Sequence, residues 1–380
     1  MSVSKERHLF PGGNTTKGFY SFYNYILTQE EADRIICLKG GPGTGKSSFM
    51  KKIGTHFNTL GYTIEYHHCS SDNNSLDGVV IKELNIALLD GTSPHMVDPV
   101  TPGAVDEILN LGIALDSEYL EKNKNKILSI CKEISQNFKR AYMYMDSAKA
   151  VHDDWTLLNS QAVNKVKLFN VMDSLKNKIF DSSKDGYGDE RHLFSTAFTP
   201  DGIVTFNEDL CKECTNLYVL KGGPGLRKST ILKELGTEAQ KRGYYVEYFH
   251  DPFIPERIEN ILIHELSTGV FTTNEISRMH YSGIQYNMND ICNEDMREKN
   301  APEIDFDKSQ FDILNNKALS CISKSHVLHD ELETYYISAM NFDIVNELYE
   351  ETVKKISSYI KWLKAVFLCL YIYLNNANTI

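Results

Sequence analysis

The chain is written twice, and this internal repeat limits its fold more than any other feature. Slid by 182 residues, Leu38-Lys39-Gly40-Gly41-Pro42-Gly43 falls on Leu220-Lys221-Gly222-Gly223-Pro224-Gly225. The register holds without a gap through Lys46-Ser47 on Lys228-Ser229, Gly54-Thr55 on Gly236-Thr237 and Glu83-Leu84 on Glu265-Leu266. Eleven of the eighteen residues from 38 to 55 are identical. Upstream, Arg7-His8-Leu9-Phe10 recurs as Arg191-His192-Leu193-Phe194; downstream, Val151-His152-Asp153-Asp154 is echoed by Leu328-His329-Asp330-Glu331. Two homologous halves meet near 185–190.

Each half follows one plan. An apolar run (34–39, 217–221) ends in glycines and is followed by a stretch with helical spacing, which predicts strand, loop and helix. A second strand is predicted at 62–68 and 244–250, rich in β-branched and aromatic residues. A short helical segment then leads to Ile86-Ala87-Leu88-Leu89-Asp90, a run of the kind buried on both faces of a parallel sheet. The expected class is α/β, a parallel sheet flanked by helices. From 113 to 185 there is no glycine or proline, and apolar residues from Ile127 to Trp155 alternate by four and three, a heptad seam. A similar seam runs from Leu328 to Leu374, interrupted at Asn346. The expected organisation is a first core at 1–112, a helical arm at 113–185 that is either one rod or a hairpin bent at Asn159-Ser160, a second core at 186–302, and a C-terminal arm at 303–380.

Composition narrows the setting. With 40 basic against 51 acidic side chains, net charge −11, no broadly basic surface awaits nucleic acid. The first residues are charged and lack an apolar core, so they read as neither signal peptide nor membrane anchor. The apolar stretch 366–374 is nine residues long, short of the roughly 20 that a bilayer requires. Eight dispersed cysteines fit a reducing cytoplasm.

The chemistry concentrates in Gly40-Gly41-Pro42-Gly43-Thr44-Gly45-Lys46-Ser47, followed by Ser48, which satisfies the G-x-x-x-x-G-K-[ST] pattern between a predicted strand and a predicted helix. Glycines let backbone N–H groups approach phosphate oxygens, Lys46 adds a point charge, Ser47 a hydroxyl for Mg²⁺, and the helix N-terminus a favourable dipole. Asp90, ending an apolar strand after the loop, is the expected carboxylate partner of Mg²⁺. Gly91 stands where many hydrolytic ATPases carry a glutamate base, so the water-activating group must come from elsewhere; His95, Asp98, Glu65 and Asp72 are the nearby candidates.

The doubled Arg-His-Leu-Phe, the Lys-Gly-Gly-Pro-Gly-Thr-Gly-Lys-Ser run and Asp-Gly-Thr-Ser-Pro-His at 90–95 resemble a bacterial family of tandem P-loop ATPases, over nearly the full chain. The resemblance implies the P-loop NTPase fold and ATP or a related nucleotide, carried onto Gly40, Gly45, Lys46, Ser47, Asp90 and His95. It brings no substrate with it. The second half departs from the pattern: Arg227 replaces the last loop glycine and Thr272 replaces Asp90, so a degenerate second site is expected.

Three classes compete. A kinase clamps phosphates with several arginines, yet no arginine lies between Ile35 and Lys139. A GTPase needs an Asn-Lys-x-Asp segment, and Asn123-Lys124-Asn125-Lys126 does not fit. The expectation is a Mg²⁺-dependent ATPase with one competent site and an arginine supplied by the second half from among Arg191, Arg227, Arg242 and Arg257. A phosphotransferase is the alternative, and a non-enzymatic nucleotide sensor or scaffold the next. The arms offer a surface to a protein partner, and the oligomeric state is open.

Overall fold

The computed structural model describes residues 6–92 and 97–377, except the side chains after Ile360. In the first half, the strands are β1 (Glu6–Leu9), β2 (Gly12–Thr15), β3 (Gly18–Ser21), β4 (Arg34–Lys39), β5 (Ile64–His68), β6 (Leu76–Ile81), β7 (Ile86–Asp90) and β8 (Asp106–Asn110). Helix α1 (Lys46–Thr59) follows β4, and α2 (Ser117–Lys122), α3 (Lys124–Ala162) and α4 (Lys165–Ile179) follow the sheet. The second half repeats the plan with β9 (Glu190–Leu193), β10 (Thr196–Thr199), β11 (Gly202–Thr205), α5 (Asn207–Lys212), β12 (Asn216–Lys221), α6 (Lys228–Lys241), β13 (Val246–His250), β14 (Ile258–Ile263), β15 (Thr268–Thr273), β16 (Ile284–Asn287), α7 (Glu294–Ala339) and α8 (Phe342–Ala377).

The α/β class is as expected, but each six-stranded sheet is mixed rather than parallel. The orders are β1-β5-β6-β7-β4-β8 and, traversed in reverse, β16-β12-β15-β14-β13-β9. β6 and β14 run antiparallel to both neighbours. The expected helical segment before Ile86 is therefore mostly strand. Val79, Val80 and Ile81 suit a sheet buried on both faces, and the turn into β7 is a single 3₁₀ turn closed by Asn85 in the left-handed region (φ 48). Ser267 closes the matching turn (φ 46).

The halves meet along a local two-fold. Phe10 and Phe194 exchange backbone hydrogen bonds of 3.0 Å each. Beside them, Arg7 and Arg191 alternate with Glu65 and Glu247: Arg7 Nη1 donates to Glu247 at 2.9 Å and Arg191 Nη1 to Glu65 at 3.0 Å. Burial disfavours ionisation of both glutamates, but the facing arginines hold their carboxyls well below the usual range.

The arms cross. α3 and α7 run antiparallel, with Ile127 and Ile130 against Leu332 at one end and Asn300 Nδ2 bonded to Leu158 O (3.1 Å) at the other. The seam residues Ala141, Met145, Ala148 and Trp155 are buried, as a heptad stripe requires. α3 thus carries the first half's chain to the second core, where α4 buries Met172, Leu175 and Ile179. α7 returns to the first core, where α8 buries Val345 and Ile356. Each half's last helix completes the other half's core. The first arm breaks at Val163-Asn164 rather than Asn159-Ser160, where Asn164 caps α4 by accepting from Lys167 N. The second breaks at Met340-Asn341, ahead of Asn346. Among the described residues no helix is long and apolar enough to cross a membrane.

Candidate functional site

The two glycine-rich loops lie at the C-terminal ends of β4 and β12, each one strand in from the edge of its sheet, and open α/β sheets place ligands at such strand ends. In the first, Gly43 (φ 67) and Gly45 (φ 86) take left-handed conformations that let the chain turn sharply into α1. Lys46 is buried, and its Nζ donates to Gly40 O (3.1 Å) and Gly41 O (2.8 Å). These bonds fold the side chain back over the loop. Thr44 Oγ1 donates to Gly41 O at 2.8 Å, so its hydroxyl braces the loop. Ser47 Oγ accepts from Leu76 N (3.1 Å), tying α1 to β6, while Ser48 is exposed.

Asp90 ends β7 in register with Leu38 of the adjacent parallel β4. Its Oδ2 lies 3.7 Å from Lys46 Nζ, and its Oδ1 accepts from Thr92 N at 2.8 Å. Thr92 Oγ1 donates to Gly40 O (2.7 Å), a brace the sequence reading missed. Burial raises the Asp90 carboxyl, and Lys46 only partly offsets this. A cation beside so disfavoured a carboxylate would keep it ionised, and Asp90 and Ser47 are the residues that could hold one.

The other expected groups scatter. His95 lies outside the described residues. Asp98 pairs with Lys39 Nζ at 2.7 Å, Glu65 belongs to the interface between the halves, and Asp72 accepts from Asn74 N (3.1 Å) to close a turn. None of the four proposed arginines is engaged at the first loop. Arg191 binds Glu65, Arg242 binds Glu238 at 2.7 Å, Arg257 neighbours Asp251, and Arg227 is in the second loop. Cys211 and Cys214, the lone C-x-x-C pair, are pushed up to about 12 by burial, against the thiolate that zinc requires.

What covers the first loop comes from the far end of the chain. The last turns of α7 rest on it: Gly43 N donates to Glu333 Oε1 (3.2 Å), and His329 Nδ1 is 3.7 Å from the same oxygen. A Cβ at Gly41 would lie 2.5 Å from the Tyr336 ring, so glycine is required there by the arm as well as by any ligand.

α3 covers the second loop in the same way. Asn159 Nδ2 donates to Pro224 O at 2.7 Å, and the Thr156 carbonyl abuts Gly225. Lys228 Nζ bonds Gly222 O and Gly223 O as Lys46 bonds its counterparts. Arg227 takes the left-handed conformation of Gly45 (φ 65) despite its side chain. Beside Lys228 lies Glu275, at a sequence position where the first half has Ser93. Burial works against its ionisation, but His152 at 2.5 Å, then Lys228, bring it down to about 2. A cleft of about 590 Å³ opens here, walled by Trp155, Gly222, Gly223 and Glu275. A fixed carboxylate on that wall repels phosphate.

No family model matches the chain, and no curated protein or solved structure does either.

Proposed function

We propose that this chain is a tandem P-loop protein that binds ATP in its first half and hydrolyses it, the second half having kept the loop but lost the chemistry. The observation that carries the reading is Lys46, which caps a loop of left-handed glycines and lies 3.7 Å from Asp90 on the neighbouring parallel strand. Backbone N–H groups from Gly43 to Ser47 and the α1 N-terminus would hold the phosphates, with Lys46 turning from the loop carbonyls to the β- and γ-phosphates. Ser47 and Asp90 would hold Mg²⁺, which when bound neutralises charge on the transferring phosphoryl group. Because α7 rests on this loop, occupancy of the site and the position of the arms are linked.

The test is phosphate release by purified protein with ATP and Mg²⁺, with and without candidate acceptors. Release without acceptor, lost in Lys46→Ala, is expected. Phosphate appearing only on an added acceptor would make the protein a phosphotransferase.

A further inference from the structure

Among the described residues, no base candidate from the loop's own half is free at the loop; His95 lies outside them. Gly91 follows Asp90, and Asp98, Glu65 and Asp72 are committed to Lys39, to the interface and to a turn. One carboxylate that does reach the loop is Glu333, from the other half's arm. Its Oε1 accepts from Gly43 N, one of the N–H groups that would hold the phosphates in the reading above. Its side chain is one-third exposed (34%), which leaves room to swing from Gly43 toward a water.

The repeat supplies an internal control. Counted from the shared His-Asp pairs His152-Asp153 and His329-Asp330, Glu333 corresponds to Thr156. The two residues occupy the same place: each presents its backbone carbonyl to the third glycine of the loop it covers, Gly43 or Gly225. Threonine serves there for packing, so covering the loop does not require a carboxylate. Where Glu333 becomes Thr156, Gly45 has also become Arg227 and Asp90 has become Thr272. The histidine is kept at both places. A carboxylate at this arm position is thus absent from the site that lacks the other chemical groups and present at the site that has them; at the second site His152 pairs with Glu275 of the core instead.

We infer that Glu333 is the general base of the first site, with His329 as its positioning residue; the inference rests on the ATPase reading above. Once phosphate oxygens take the Gly43 N–H, the Glu333 carboxylate is released to a water. It accepts a proton as the water oxygen bonds to the γ-phosphorus. The bond from that phosphorus to the β–γ bridging oxygen breaks, and its electron pair leaves with ADP. The proton passes on to phosphate or solvent, and the carboxylate is restored.

The experiment compares wild type, Glu333→Gln, Glu333→Asp and Glu333→Thr by ATP affinity, single-turnover hydrolysis and the nucleotide recovered from the bound state. Glutamine keeps an acceptor for Gly43 N–H, so it separates the base from the loop contact. Expected for Glu333→Gln is a fall in kcat of about 10²–10⁴-fold, ATP affinity within about twofold, and ATP rather than ADP recovered from the complex. Glu333→Asp recovers part of the rate, and Glu333→Thr behaves as glutamine does or worse. Unchanged turnover in Glu333→Gln overturns the assignment; faster turnover also overturns it and makes the carboxylate a plug that nucleotide must displace. Wild type that binds ATP without hydrolysing it overturns the base and the hydrolysis together and leaves nucleotide binding standing. Wild type that fails to bind ATP overturns the nucleotide reading itself, and this inference with it.

Discussion

The two glycine-rich loops share a backbone and differ in nearly everything chemical. Both lysines bond two loop carbonyls, and both serines accept a β-strand amide, Ser47 from Leu76 and Ser229 from Ile258 (2.9 Å). Both loops are covered by the opposite arm. Yet Gly45, Asp90 and Glu333 are opposed by Arg227, Thr272 and Thr156. The loop conformation is therefore held by its lysine, its serine and the arm, independently of any ligand. Shape alone does not establish a working phosphate site; the groups aimed into it do.

The largest test of this contrast is a pair of lysine substitutions. Removing one preorganised cation from a transferring phosphoryl group costs about 10²–10³-fold in rate. Lys46→Ala is expected to lose ATP turnover by at least that factor, while Lys228→Ala leaves it within about threefold, both checked by phosphate release on protein with a native melting profile. The reverse result would exchange the roles of the halves.

A second contrast lies just beneath the loops. Where the first half has Asp77, accepting from Tyr23 OH at 2.6 Å, the second has Glu259, and Asn207 stands in place of the tyrosine. Glu259 accepts from Asn274 Nδ2 (2.8 Å) but is buried, and burial, then Asp251, raise it to about 8. A carboxyl raised on folding binds a proton that the unfolded chain releases, so stability falls as pH climbs from the usual carboxylate range through about 8. Glu259→Gln removes that penalty. It is expected to stabilise the protein by roughly 4 kcal/mol at pH 8 and by little at pH 4.5, read from denaturant midpoints at the two pH values. Equal effects at both would show that Glu259 ionises freely in the fold.

The repeat and the loop were legible because they are local: Gly43 and Gly45 declare left-handed turns, and Lys46-Ser47 declares a helix start. The direction of β6 was not, since Val79-Val80-Ile81 reads alike in a parallel or an antiparallel strand. Nor was the crossing of the arms. A seam such as Ala141-Met145-Ala148 announces that a helix face is buried but not which partner buries it, and two homologous halves supply two similar partners. Glu333 was hidden for the same reason, lying 290 residues from Gly43. The signal available was the echo between the arms, which aligns it with Thr156 and marks a difference between halves at a shared position.

The smallest effect isolates backbone from chemistry at Arg227. A non-glycine residue at φ 65 bears left-handed strain that Gly45 does not bear at φ 86. Arg227→Gly relieves that strain but adds freedom to the unfolded chain, so a net gain of about 0.5–1 kcal/mol is expected, a rise of roughly 1–4 °C in Tm for domains of this size. It is not expected to create a second site, because Thr272 and Thr156 still offer neither a Mg²⁺ carboxylate nor a base, and Glu275 still faces the loop. Measured in a Lys46→Ala background, Arg227→Gly should melt higher and release no phosphate. Turnover in that double variant would mean that the arginine alone silences the second loop, and the contrast would rest on one residue rather than three.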